Sequence, residues 1–141
     1  MRFTPIPLIK IKSMDQLKKN KEFIAEYFSA LSGTTKRPSM LSKYVSDPEL
    51  SQHIDFFEAV FPLYEIYADE MTAEGNRVVV RARFRGKHEG DFNGIPPTHK
   101  QVEFAFAIGY EIEDGKITHH WLLADQMSLM EQLGVAEAVA V

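Results

Sequence analysis

Residues 77–88 carry the pattern that most limits how this chain can fold. Apolar and basic residues alternate there almost one by one, which is the two-residue period of a β-strand with one buried and one solvated face. The side chains predicted to face the core are Val78, Val80, Ala82, Phe84, Gly86 and His88. The opposite face is predicted to carry Arg77, Val79, Arg81, Arg83, Arg85 and Lys87.

The remaining patterns are helical before this region and alternating after it. Pro5 and Pro7 predict an extended N-terminal arm over residues 1–13. Asp47-Pro48 predicts a helix start, because a carboxylate caps free amides and proline fits the first helical position. Helices are predicted at 14–31, 38–44 and 48–61, with a last helical turn at 127–133. Strands are predicted at 64–73, 77–88, 102–112 and 117–126.

Helices followed by an antiparallel meander predict one α+β domain over residues 1–141, with a curved antiparallel sheet covered by the N-terminal helices. The net charge of −4 gives no field that would attract nucleic acid, and no run of 18 apolar residues suggests a membrane span. The absence of cysteine excludes disulfides and a cysteine nucleophile. A cytoplasmic protein without nucleic-acid or membrane partners is the expectation.

The last predicted strand contains the residues best suited to chemistry. Unbroken alternation would place His119, Trp121, Leu123 and Asp125 on one face together with Ile117. If that face is concave, a carboxylate lies among apolar groups, and burial would raise its pKa toward values useful for proton transfer. His88, on the apolar face of its own strand, could supply a second proton-transfer group.

A structural interpretation of the same residues stays open. Asp125 precedes a helical turn that it could cap, Trp121 could be core, and His88 and His119 could be structural histidines. The scattered histidines have no recognised metal-ligand spacing, so no metal is expected. Phosphate-binding glycine motifs and a serine-nucleophile elbow are missing from the sequence.

Several short segments over residues 77–134 occur in the order typical of one family. They are Gly86-Lys87-His88-Glu89-Gly90, Gly94-Ile95-Pro96-Pro97-Thr98, Asp114-Gly115-Lys116-Ile117, Trp121 with Asp125, and Gln132-Leu133-Gly134. This set resembles the SnoaL-like polyketide cyclases, a branch of the nuclear transport factor 2-like (cystatin-like cone) superfamily.

The resemblance implies a cone of strongly bent antiparallel sheet closed by helices, often a homodimer, with a pocket in its mouth. It implies a cofactor-independent cyclase or isomerase that binds a small apolar carbonyl or ester (polyketide-like) compound, with Asp125 as general acid/base. His119 and His88 are the further catalytic candidates. The predicted substrate-binding residues are Trp121, Glu111, Phe84, Leu123 and Phe57.

The chain departs from the family pattern at three positions. His99 follows Pro-Pro-Thr where glycine is usual, Glu111 precedes the Asp-Gly turn, and His119 replaces a common glutamate. Two alternatives therefore stay open: a non-catalytic small-molecule-binding or dimerisation domain, and a hydrolase of the epoxide-hydrolase type.

Overall fold

The computed structural model describes residues 8–135, with side chains from residue 13 onward. The elements, in chain order, are α1 (Leu8–Leu31), α2 (Pro38–Tyr44), α3 (Pro48–Val60), β1 (Glu65–Glu74), β2 (Arg77–Lys87), β3 (Gln101–Glu113), β4 (Lys116–Ala124) and α4 (Gln126–Leu133). The four strands form an open antiparallel meander in the order β1-β2-β3-β4. Within residues 8–135 the predicted α+β class is confirmed.

The sheet has two chemically different faces, set by the alternation along β2. Its buried residues, from Val78 to Gly86, lie on the inner face, which packs against the helices. The basic residues of β2 lie exposed on the outer face, as predicted. All eight elements contribute to one hydrophobic core under the inner face.

Helix α3 begins where the sequence predicts. The Asp47 carboxylate accepts hydrogen bonds from the backbone amides of Glu49 (3.0 Å) and Leu50 (3.4 Å), and Pro48 occupies the first helical position. The amides of Ser46 and Asp47 both donate to the carbonyl of Ile117 in β4. The start of α3 is therefore joined to the last strand of the sheet.

The prediction of an extended arm through residue 13 is wrong for residues 8–13, which belong to helix α1. This helix already begins at Leu8, directly after Pro7. Neither proline nor glycine lies between Leu8 and Met14, so residues 8–13 contain nothing that interrupts a helix. The arm's residues 1–7 lie outside the described residues. No helix between residues 8 and 135, including α1 with its lysines, is long and apolar enough to cross a bilayer.

A bulge in β4 is the local feature with the largest consequence. Glu111 pairs with His119, whereas the next residue, Ile112, pairs with Ile117, so Thr118 is an extra residue on β4. One extra residue reverses which side chains face inward beyond it. Ile117 is fully buried, and after the bulge the inward positions are His120, Leu122 and Ala124.

Candidate functional site

A pocket lies between the inner face of the sheet and helices α1 and α3. Its empty space is about 520 Å³, including the open mouth. All four strands and both helices contribute to its wall, which is mostly aromatic and aliphatic. The lining residues are Tyr27, Leu31, Leu50, His53, Ile54, Phe57, Tyr64, Ile66, Phe84, Phe104, Phe106, Ile108, Tyr110, Leu122 and Ala124. Such a wall suits a small apolar ligand.

His53 is the imidazole in this lining. It lies on α3, and its ring packs against Phe57 with ring centroids 4.5 Å apart. Burial, and to a lesser extent the nearby imidazole of His120, lower the pKa of His53 below 6.5. At neutral pH the ring is therefore uncharged and able to accept a proton.

A buried carboxylate–imidazole pair lies next to the pocket. His120 Nδ1 is 2.7 Å from Asp47 Oδ2, and both side chains are almost completely buried. Burial alone would raise the pKa of Asp47. The hydrogen bond and charge of His120, with the amides of Leu50 and Glu49, lower that pKa below its ordinary value. The ionised Asp47 thereby fixes the orientation of His120 between α3 and β4.

The structure places only two of the predicted site residues in this pocket. Phe57 and Phe84 line it. Trp121, Leu123 and Glu111 lie on the outer face of the sheet, so the prediction that they line the pocket is wrong. The physical reason is the bulge at Thr118, which breaks the alternation from which their inward direction was predicted.

His119 and Glu111 meet on the outer face instead. Glu111 Oε2 is 3.3 Å from His119 Nδ1, and Glu111 Oε1 is 3.4 Å from Arg77 Nε. Beside them the Trp121 indole lies on Gly109, where a Cβ would collide with the ring. The His119 side chain therefore lies on the opposite face of the sheet from the pocket, so it cannot serve there as the predicted catalytic group.

Asp125 is the N-cap of α4, which is the structural interpretation that the sequence allowed. Its carboxylate accepts a hydrogen bond from the backbone amide of Ser128 (3.0 Å) and caps α4. The residue is exposed, which contradicts the prediction of a carboxylate inside an apolar pocket. The cap interpretation is confirmed.

His88 is fully buried but lies apart from the pocket lining. Its Nδ1 accepts a hydrogen bond from the Thr98 amide (3.1 Å), and its ring packs against Phe61. Because a backbone amide can only donate, Nδ1 is unprotonated and the neutral ring carries its proton on Nε2. His88 thus joins the two ends of the loop between β2 and β3, and the prediction that it shares a cavity with Asp125 is wrong.

The groups in and beside the pocket are not those that the sequence predicts. The sequence indicates only a helix cap at Asp47, and it predicts His120 on the face opposite the candidate site. His53 had a usable signal: it lies four residues before Phe57 and next to Ile54, within the apolar stripe of a helix. In residues 13–135 no group of three or more His, Asp or Glu side chains could hold a metal ion.

The fold and the pocket define the class: an open cone-like α+β domain with an apolar cavity under a curved sheet. The chain belongs to the family described as SnoaL-like polyketide cyclase, whose model matches residues 16–133. The predicted family and its nuclear transport factor 2-like fold are confirmed. No curated protein sequence matches the chain.

Solved structures agree on the fold. AclR from Streptomyces galilaeus superposes with a TM-score of 0.73 at 20% identity, covering 84% of this chain and 82% of its own. IdmH from Streptomyces antibioticus gives a TM-score of 0.68 at 23% identity, with coverages of 83% and 99%. A SnoaL-like polyketide cyclase from Agrobacterium tumefaciens gives 0.68 at 19% identity, with coverages of 82% and 98%. At these identities the similarity concerns the fold alone.

Proposed function

We propose that this chain is a cofactor-independent enzyme of the cyclase or isomerase type that acts on a small apolar carbonyl or ester compound, polyketide-like in character. The family membership supports this class. The pocket supports the substrate's character, since its wall is built from phenylalanine, tyrosine and aliphatic side chains around one imidazole.

The observation that carries the proposal is the position of His53 in this lining. A neutral imidazole inside an apolar wall is a suitable general base at neutral pH, because its lowered pKa keeps the proton-accepting form populated. Asp125 was the carboxylate implied by the family resemblance. Because Asp125 is exposed and caps α4, we assign proton transfer to His53 instead.

The proposed reaction requires one proton to leave and one to return. His53 takes a proton from the carbon next to the substrate carbonyl, and the electron pair of the broken C–H bond delocalises into an enolate. In a cyclase the enolate carbon attacks a second carbonyl of the same molecule, and protonated His53 returns the proton to the new alkoxide. In an isomerase it returns the proton to another carbon. The pocket wall contributes a folded, near-attack conformation of the substrate.

Asp47 and His120 would influence His53 without contacting the substrate. His120 is held by Asp47 at 2.7 Å and is close enough to lower the pKa of His53. We assign them as positioning residues.

The test measures proton abstraction directly. The wild-type protein should catalyse deuterium incorporation next to the carbonyl of a small flat aryl ketone, 1-indanone, in deuterated buffer followed by NMR. His53→Gln should lower the exchange rate by about 10²–10⁴-fold. The matched control is His99→Gln, an exposed histidine paired with Glu89 on the loop, which should leave the rate unchanged.

The pH profile gives a second readout of the same proposal. The pKa of His53 lies below 6.5, so exchange should persist when the pH falls through 6.5 and decline only at lower pH as His53 is protonated. Equal exchange by wild-type protein and His53→Gln would reject His53 as the base. Ligand binding without any catalysed exchange would favour the second candidate, a non-catalytic binding domain.

A water-activating carboxylate of the epoxide-hydrolase type has less support. Among the described residues that line the pocket there is no Asp or Glu. Asp47, the carboxylate paired with His120, already accepts hydrogen bonds from two amides and from His120. Incorporation of labelled oxygen from water into a product would contradict this ranking.

We also propose a homodimer that forms through the outer face of the sheet. Trp121 and Leu123 are 51% and 72% exposed there, and Val79, which lies beside Trp121, extends the apolar surface. Apolar side chains grouped on one face are a common feature of protein interfaces. Light scattering coupled to size exclusion should give twice the 16.1 kDa chain mass, and Leu123→Glu should give the monomer. Lys87→Glu, at the charged end of the same face, should leave the dimer intact.

A further inference from the structure

A column of aromatic rings connects the pocket with the loop between β2 and β3, residues 88–100. His53, Phe57 and Phe61 follow one another at four-residue intervals on α3 and its C-cap, so their side chains lie on one side of the helix. The ring centroids of His53 and Phe57 are 4.5 Å apart, and Phe57 stacks on Phe61 at 6.0 Å. Phe61 in turn packs against the ring of His88 at 5.7 Å. Direct side-chain contacts therefore link the proposed base to the loop.

Phe92, from the same loop, packs against the middle of this column. It is 6% exposed, and its ring centroid lies 6.3 Å from those of both Phe57 and Phe61. Phe57 lines the pocket, whereas Phe92 lies outside the lining. The loop therefore supplies a side chain that supports the pocket wall at the residue in contact with His53.

The backbone of the loop is fixed both at its tip and against α3. At the tip, Phe92 and Ile95 exchange two backbone hydrogen bonds of 2.9 Å. Near the start of the loop, the amides of Glu89 and Gly90 both donate to the carbonyl of Val60, at 2.9 and 3.0 Å. The position of Phe92 relative to α3 is therefore set by the backbone as well as by ring packing.

His88 joins the two ends of the loop, at a cost in free energy. Its backbone amide donates to the carbonyl of Lys100, and its Nδ1 accepts a hydrogen bond from the amide of Thr98 at 3.1 Å. Within residues 13–135, Nε2 is buried without a hydrogen-bond partner, which destabilises the closed loop. A phenylalanine ring would carry no such group. The advantage of histidine here is therefore the Nδ1 acceptor that holds Thr98.

We propose that the loop between β2 and β3 positions His53 for proton transfer, with His88 and Phe92 as positioning residues. His88 holds the loop closed through Thr98, and the column then keeps the Phe57 ring against His53. The inference rests on the proposed function, because it takes His53 as the base, and it extends the machinery to residues outside the pocket lining. A displacement of about 1 Å at a reacting group can lower a rate on the order of 100-fold, so such remote contacts can control it.

The first test is an NMR titration of the His53 ring in wild-type protein, Phe92→Leu and His88→Phe. Burial, more than the nearby His120, lowers the pKa of His53 below 6.5. When Phe57 is held less firmly, the His53 ring becomes better hydrated, so its pKa should rise toward 6.5 in both variants.

Two further variants serve as controls. His88→Asn keeps an oxygen acceptor close to the position of Nδ1, so it should restore the wild-type titration of His53. Phe23→Leu makes the same change as Phe92→Leu at a half-buried phenylalanine of α1 that packs against Tyr44, outside the pocket lining. It should leave the titration unchanged.

Deuterium exchange into 1-indanone gives the second readout. In Phe92→Leu and His88→Phe the rate at saturating ketone should fall about tenfold. The ketone concentration that gives half of this rate should change less than about twofold, because the residues of the pocket wall are retained. His88→Asn should recover most of the rate.

An identical titration of His53 in wild-type protein, Phe92→Leu and His88→Phe would overturn the inference, whatever the exchange rates. The same shift in Phe23→Leu would also overturn it, because lost stability alone would then explain the effect. If His88→Asn behaved like His88→Phe, the Nδ1 acceptor would not be the positioning group. Failure of the wild-type protein to catalyse exchange would overturn the proposed function, and the titration distinguishes that failure from a loop that does not hold His53.

Discussion

Asp47 and Asp125 perform the same backbone task in two parts of the molecule. Each directly precedes a helix and accepts hydrogen bonds from the amides of its first turn, Asp47 for α3 and Asp125 for α4. Their surroundings differ. Asp47 is 6% exposed, and its second oxygen accepts a hydrogen bond from His120, whereas Asp125 is exposed.

The comparison shows that a cap gains a further role only when its second oxygen faces the interior. A buried carboxylate is stable only when both of its oxygens accept hydrogen bonds, so a buried cap needs a second donor. At Asp47 that donor is an imidazole next to the pocket, and the pair joins α3 to β4. At Asp125, which is exposed, solvent can hydrogen-bond to the second oxygen, so this residue acts only as a cap.

The largest expected difference between the two caps is in stability. Asp47→Ala removes the hydrogen bonds that the amides of Glu49 and Leu50 donate, and it leaves the buried His120 without its acceptor. It should therefore lower the free energy of unfolding by about 3 kcal/mol. Asp125→Ala removes an exposed cap and should cost about 1 kcal/mol. Urea unfolding followed by circular dichroism measures both, and equal losses would break the comparison.

Sequence alone predicted the order of the elements because each rests on local chemistry. The alternation of residues 77–87 and the Asp47-Pro48 helix start act within a few neighbouring residues, and both are confirmed. The apolar wall could be predicted in part for the same reason, since Phe57 and Phe84 lie on the buried sides of their own elements.

The bulge at Thr118 could not be predicted in this way. Threonine suits a regular strand, and no glycine or proline marks the irregularity. The extra residue satisfies distant groups. With it, the Ile117 side chain faces the core while the Ile117 carbonyl accepts hydrogen bonds from the amides of Ser46 and Asp47. The His120 side chain also faces inward, toward Asp47. Residues some 70 positions apart in the sequence therefore decide which face carries the candidate site.

An acid titration sharpens the comparison. The pKa of Asp47 in the folded protein lies below its ordinary value near 3.8, so its contribution to stability is present above that value and is lost as the pH falls through the folded pKa. The stability difference between wild-type protein and Asp47→Asn should therefore shrink as the pH falls below about 4. A difference that grows as the pH falls below about 4 would contradict the direction of the shift.

The smallest effect is expected for Asp125→Asn, and this variant tests whether Asp125 takes part in proton transfer. Asparagine caps a helix about as well as aspartate, so the free energy of unfolding should change by less than about 0.5 kcal/mol. Because Asp125 is exposed and bonded to the Ser128 amide outside the pocket lining, deuterium exchange into 1-indanone should also proceed at the wild-type rate. A loss of exchange of 10²-fold or so with stability intact would restore Asp125 as the acid/base group and remove that role from His53.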